Sequence, residues 1–235
     1  MKLEISVVIP AFNEENYIEG VFRGLKGQAF RNFEVIVVDG NSTDRTREIA
    51  RRNGAKVITE QKNNIGAARN AGAKLAKGEL IMFTNSDTMA SRGLLKAYSK
   101  LFKDKSVVAA SGPLMPLEDT TRFIRFGYKF ASVYLAKLSF AIGKPAISGS
   151  NFIVRKSAFN RCGGFDESLV TYEDLDLTLR LSKEGKIIYV KDAVVATSTR
   201  RIVKWGVIKY IIFNAGNVVR YNLFHKSKEH YEPIR

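Results

Sequence analysis

The chain has 235 residues, 45% of them hydrophobic, which suits one large domain with a sizeable core and argues against wholesale disorder. The single cysteine, Cys162, leaves no internal disulfide and no cysteine-pair metal site, and fits a reducing compartment. The formal net charge of +15 implies attraction to phosphate on nucleic acid, lipid headgroups or a nucleotide-type substrate, or else a gain in solubility.

The N-terminus runs straight into "ISVVIPAF" (5–12), a continuous β-branched strand of the kind covered on both faces, and no secretory signal is expected. Ile18, Val21, Phe22 and Leu25 then recur at helical spacing. "FEVIVVDG" (33–40) is a second buried strand. Ser42, Thr43 and Asp44 open the helix "DRTREIARRN", which Gly54 closes. "AKVITE" (55–60) is a third strand, "GAARNAGAKLAKG" (66–78) a small-residue helix, and "ELIMFTN" (79–85) a fourth strand. Strand and helix alternate, so the expected class is α/β: a mostly parallel, doubly wound sheet with helices on both faces.

Beyond residue 113 the pattern changes. A helix is expected over 120–141, with Arg122, Arg125 and Lys129 on one face. It is followed by the glycine-containing strand or loop "ISGSNFIVR" (147–155), a helix entered through "TYEDLDL", and two short strands in "KIIYVKDAVVATS". The tail from Arg200 is basic and aromatic. The expected organisation is a catalytic-type domain over 1–199, with a nucleotide half at 1–112 and an acceptor half at 113–199, and a helical tail over 200–235. No stretch reaches the roughly 18 apolar residues of a membrane span.

In an open α/β sheet, ligands bind outside the carboxyl ends of the strands. Three polar clusters fall there: Pro10-Ala11-Phe12-Asn13-Glu14, Asp39-Gly40-Asn41-Ser42 and Asn85-Ser86-Asp87. Such residues also form ordinary turns, yet the buried strands are otherwise almost free of acids. No Gly-x-Gly-x-x-Gly follows the first strand and no Gly-Lys-Ser/Thr is present, which disfavours dehydrogenases and P-loop NTPases. A diphosphate could instead be neutralised by a divalent cation, and Asp87 at a strand tip suits that.

The blocks "SVVIPAFNEENYIEGVFRGL", "EVIVVDGNSTDRT", "NNIGAARNAGAKLAKGELIMFTNSD", "SGSNFIVRKSAF" and "GGFDESLVTYEDLDLTLRL" together resemble the family 2 glycosyltransferases, over residues 4 to about 198 and in family order. The resemblance implies the GT-A fold, a nucleotide-diphosphate sugar (UDP- or GDP-linked) as donor, Mg2+ or Mn2+ as cofactor, and inversion at the transferred carbon. It implies that Pro10, Ala11 and Glu14 line the first nucleotide loop and that Asp39 recognises the base. Gly66 and Arg69 would belong to a loop and helix closing over the nucleotide. Asn85-Ser86-Asp87 matches the family's Asp-x-Asp with its first acid replaced by an amide, so Asn85 and Ser86 would meet the donor and Asp87 the cation. Asp174 matches the general base and Glu173 its orienting partner, while Asp176 is expected to face solvent or a basic neighbour, with Leu175 and Leu179 inward. Gly149, Ser150 and Asn151 match an acceptor-side segment. His225 or His230 could complete a metal site.

The acceptor is expected to be a glycan or a polyprenyl phosphate, and the location cytoplasmic or at the cytoplasmic face of a membrane. The mixed basic and aromatic helices suit an anionic headgroup region, or else ordinary core packing or a dimer. No nucleic-acid motif is present. Alternatives are a nucleotidyltransferase, for which "PAFNEEN" is too acidic a first loop, and a non-catalytic nucleotide- or anionic-polymer-binding protein.

Overall fold

The computed structural model describes residues 3–62, 64–141, 145, 147–210 and 212–213. In chain order the elements are β1 (Ile5–Ala11), α1 (Ile18–Lys26), β2 (Phe33–Asp39), α2 (Thr46–Arg52), β3 (Lys56–Thr59), α3 (Ile65–Leu75), β4 (Leu80–Phe83), β5 (Thr88–Ala90), α4 (Leu94–Leu101), β6 (Val107–Ser111) and β7 (Leu114–Pro116). There follow α5 (Arg122–Lys129), a π-helical stretch (Phe130–Leu135), α6 (Ala136–Ala141), β8 (Phe152–Arg155), α7 (Lys156–Arg161), α8 (Glu173–Leu181), β9 (Lys186–Tyr189), β10 (Val195–Thr197) and α9 (Arg200–Trp205).

Seven strands form one sheet in the order β3-β2-β1-β4-β8-β6-β9, parallel except for β8, which runs antiparallel to both β4 and β6. The direction of winding reverses between β1 and β4, and the crevice for a ligand opens at such a switch point. Side chains alternate across the central strands. Val7 and Ile9 join a core with α1 and α4, whereas Val8 and Val38 join a second core with α3, α7 and α8. Gly72 lets α3 lie flat on β1, because a Cβ there would stand 2.4 Å from a Val8 methyl.

Three features were not legible in the pattern. Helix α4 and strand β6 fall in a stretch that the sequence left unassigned, although Leu94, Leu95 and Tyr98 are buried at helical spacing. A second, three-stranded sheet, β5-β10-β7, stands beside the main one. On α8, Leu177 and Leu181 point inward rather than the expected Leu175 and Leu179, because the helix also buries Glu173 and Thr178.

The expected helix over 120–141 is present but changes pitch at its π-helical centre. Near its C-terminal end Phe140 packs against Tyr189 of β9 and the second core, but most of its larger apolar side chains do not. Phe123, Phe126, Phe130, Tyr134 and Leu138 are exposed, as are Val203, Ile208 and Ile212 in and after α9. His225 and His230 lie outside the described residues.

Candidate active site

Strands β1 and β2 end in register, Ala11 opposite Asp39. The two loops beyond them are laced together: Asn13 N donates to Ser42 Oγ, Thr43 N to Asn13 Oδ1, and Glu14 N to Thr46 Oγ1. Asn13 and Asn41 take positive φ at these tips, as asparagine tolerates better than most residues. Asp39 is fully buried. Its Oδ2 accepts from Ser42 N at 2.9 Å and lies 3.7 Å from Arg47 Nε, while its buried Oδ1 has no hydrogen-bond partner among the described residues. An orphaned carboxylate oxygen at a strand tip is a ready acceptor for a ligand N–H.

The small sheet decides the next part of the site. β10 is antiparallel to β5, with Thr197 opposite Thr88, and parallel to β7, with Thr197 opposite Pro116. Residues just beyond these strands must therefore meet: Ser198 N donates to the Asp87 carbonyl at 3.0 Å, and Glu118 accepts from Ser198 Oγ and from Thr199 N. Arg200 then projects back across the tips. Its Nη1 and Nη2 hold both Glu14 oxygens at 2.9 and 2.6 Å, Nη2 lies 3.2 Å from Asp87 Oδ2, and the guanidinium stacks 4.6 Å from the Tyr17 ring centre. Asp87 Oδ1 is buried without a hydrogen-bond partner among the described residues. Burial pushes the Asp87 carboxyl above the ordinary carboxylate range, against the pull of Arg200.

Beneath the tips runs a chain of polar contacts. Arg69, only 2% exposed, donates to Glu173 Oε1 at 2.5 Å and to Asn85 Oδ1 at 3.2 Å, with its guanidinium 5.3 Å from the Phe165 ring centre. Asn85 Nδ2 donates to Ser150 Oγ at 2.9 Å. Asp174 accepts from Gly149 N at 2.8 Å and from Leu175 N at 2.8 Å. Tyr172, left-handed at φ 69, turns the chain into α8 just before these two acids. Glu173 is buried beside Asp174, and both facts hold its carboxyl high, at about 7, against the opposing pull of Arg69. Asn85 and Asp174 thus belong to one cluster, two contacts apart through the 149–150 turn.

A scan against family models matches residues 6–163 to "Glycosyl transferase family 2". The chain belongs to glycosyl transferase family 2. Among the family 2 chain's relatives is the dolichyl N-acetyl-alpha-D-glucosaminyl phosphate 3-beta-D-2,3-diacetamido-2,3-dideoxy-beta-D-glucuronosyltransferase of Methanococcus voltae, 25% identical over 94% of this chain and 75% of that one. In fold it is similar to the mannosyltransferase PcManGT from Pyrobaculum calidifontis in complex with GDP-Man and Mn2+ (TM-score 0.71, 20% identity, 94% of this chain and 63% of that one). It is also similar to S. aureus TarS 1-349 in complex with UDP-GlcNAc (TM-score 0.69, 23% identity, 94% and 67%). The family 2 chain spans 62% and 60% of the length of two other relatives, so it corresponds to about three-fifths of those proteins. The GT-A fold expected from the sequence is the fold observed.

Several side chains of this family 2 protein lie elsewhere than the motifs implied. Arg69, matched to the helix closing over the nucleotide, is buried and engaged by Glu173 and Asn85. At Gly66 a Cβ would stand 3.1 Å from Oδ1 of Asn64, the residue that caps α3. The Glu14 carboxylate is taken by Arg200. Asn151 is fully buried and accepts from Tyr98 Oη at 2.7 Å, so it belongs to the core rather than to an acceptor subsite. Asp176 pairs with Arg180, the basic neighbour expected for it. Pro10 and Ala11 stand at the β1 end, and Ser86 is buried between Asn85 and Asp87.

Sequence reasoning missed Arg200, Glu118 and Tyr17. The sequence assigned Arg200 to the tail because it opens a basic run. The available signal was its place three residues past a short strand, on the same edge as the other strand tips.

Proposed function

We propose that this chain is an inverting glycosyltransferase that moves a sugar from a UDP- or GDP-linked donor to an acceptor oxygen on a glycan or a polyprenyl phosphate, with Asp174 as the base. The observation that carries the reading is the anchoring of Asp174: backbone N–H groups of Gly149 and Leu175 fix its two oxygens, in one bonded cluster with Asn85 of the matched Asp-x-Asp position. A carboxylate held this way keeps lone pairs for an incoming hydroxyl and cannot swing away.

In this reading Asp39 Oδ1 accepts an N–H from the nucleotide base, and the loops after β1 and β2 frame that pocket. The acceptor oxygen attacks the anomeric carbon and the bond from that carbon to the diphosphate oxygen breaks; where the acceptor is a hydroxyl, its proton passes to Asp174, whereas a phosphate oxygen attacks as the anion. Glu173, held by Arg69, orients the start of α8 and so the base. Direct displacement from the opposite face inverts the centre.

Mg2+ or Mn2+ fits the residues present. Asp87 offers a buried oxygen without a hydrogen-bond partner among the described residues, and such ions need only one or two protein carboxylates beside phosphate and water. No group of three acidic, histidine or cysteine side chains gathers to hold a metal among the described residues, so the donor phosphates would supply other ligands. When bound, the cation would neutralise charge on the departing diphosphate.

The exposed ladder from Phe123 to Leu138, with Arg122 and Arg125 alongside, supports seating of this face on anionic headgroups at the cytoplasmic side of a membrane. None of the described helices is long and apolar enough to cross a bilayer. Flotation with anionic liposomes checks this, and a protein that stays at the bottom of the gradient rules it out.

The decisive experiment is a thermal-shift panel of UDP- and GDP-sugars, each with and without Mn2+ or Mg2+. A donor that raises the midpoint only with cation supports the reading. A flat panel for every donor overturns it in favour of a binding protein for anionic polymers.

A further inference from the structure

Arg200 occupies an unusual position. It is the first residue of α9, remote in sequence from the strand tips, yet its guanidinium bridges Glu14 from the first loop and Asp87 from the fourth. Three separate contacts fix it there: the paired oxygens of Glu14, one oxygen of Asp87, and the face of Tyr17. The backbone behind it is equally fixed, since Ser198 N binds the Asp87 carbonyl and Glu118 receives Ser198 Oγ and Thr199 N. Two carboxylates share this one guanidinium, and Asp87 keeps a second oxygen with no hydrogen-bond partner among the described residues.

We propose that Arg200 is an internal cation that competes with the divalent ion for Asp87. With the donor site empty, the guanidinium neutralises Asp87 and Glu14 together and keeps these buried acids from repelling one another. A divalent ion at Asp87 would face that positive charge directly. Tight metal binding therefore requires the phosphates of the donor, whose negative charge offsets the repulsion or draws the guanidinium off Asp87. The device makes metal occupancy dependent on donor occupancy, and α9, which starts at Arg200, shares in the change. This inference rests on the reading of Asp87 as the metal ligand given above.

The test is Mn2+ alone, followed by the loss of the free-ion EPR signal, on the full chain without nucleotide. Arg200→Gln should bind Mn2+ about tenfold more tightly than the wild type, within the usual range of coupling between sites. Arg200→Lys, which keeps the charge but cannot grip Glu14 with two nitrogens, should fall between the two. An unchanged or weakened affinity in Arg200→Gln overturns the competition. If that variant does not fold, Arg200→Lys alone must still bind Mn2+ more tightly than the wild type, and equal binding is the overturning result. Asp87→Asn in the Arg200→Gln background separates this inference from the metal reading beneath it. Loss of Mn2+ binding there confirms Asp87 as the ligand, so an unchanged Arg200→Gln would then sink only the competition. Binding that survives Asp87→Asn sinks both.

Discussion

The floor under Asn85 and Asp174 and the flank made by α5 and α9 handle charge in opposite ways. In the floor, Arg69 is buried and engaged by Glu173 and Asn85, and the arginine that covers the strand tips, Arg200, is engaged by Glu14 and Asp87. On the flank, Arg122 lies exposed beside bare phenylalanines, and Arg125 pairs with the exposed Asp119. Removing a charge from the floor strands its partner away from water, which is costly; removing one from the flank costs the fold little. The high net charge is therefore a poor guide to the site. Its basic residues divide between those that hold the chemistry in place and those free to meet something outside the molecule.

The largest expected effect lies in the floor. Asp174→Asn keeps the shape but removes the base, and should lower transfer by about a hundred- to ten-thousandfold while donor binding by thermal shift changes little. Transfer at the wild-type rate would move the base elsewhere. Arg69→Met should follow, at about 1 to 3 kcal/mol of lost stability in urea unfolding, because it leaves Glu173 Oε1 and Asn85 Oδ1 without their buried donor. A loss as small as that of a surface arginine would mean that the pair contributes nothing beyond its packing.

Gly149→Ala should cost about 1 to 3 kcal/mol, since a Cβ at that position would stand 2.3 Å from Arg69 Nη2 and force the guanidinium or the 149–150 turn to move. Transfer should fall with it, because Gly149 N holds Asp174. The flank breaks differently: Phe126→Ser with Phe130→Ser should leave unfolding and soluble-acceptor transfer unchanged but weaken binding to anionic vesicles about tenfold, by removing apolar area from the interface. Equal vesicle binding by both proteins would detach the flank from membranes.

The last effect is a slope with pH. The Glu173 carboxyl, held at about 7, keeps its proton in the folded chain after an unfolded one, near 4.5, has lost it. Stability from this group is full below about pH 4.5 and is lost as pH rises through about 7. Glu173→Gln should flatten that part of the curve of melting temperature against pH between these values. Parallel curves for the two proteins would show that Glu173 titrates normally.

The first four strands and the edge where they end were legible in the sequence. Buried parallel strands read as largely apolar, β-branched runs, polar and acidic residues cluster at their tips, and helices between them repeat apolar residues every three or four positions. Hence β1 to β4, α1 to α3 and the clusters at Glu14, Asp39 and Asp87 were visible locally. Only the tertiary structure shows which of those side chains are engaged by distant partners. Arg69 looks like any helix arginine until Glu173, 104 positions away, is folded against it. Arg200 reads as the start of a basic tail until antiparallel pairing of β10 with β5 sets Ser198 beside Asp87. Periodicity records only which way a side chain points from its own element, whereas an ion pair depends on where a second, distant element has been placed.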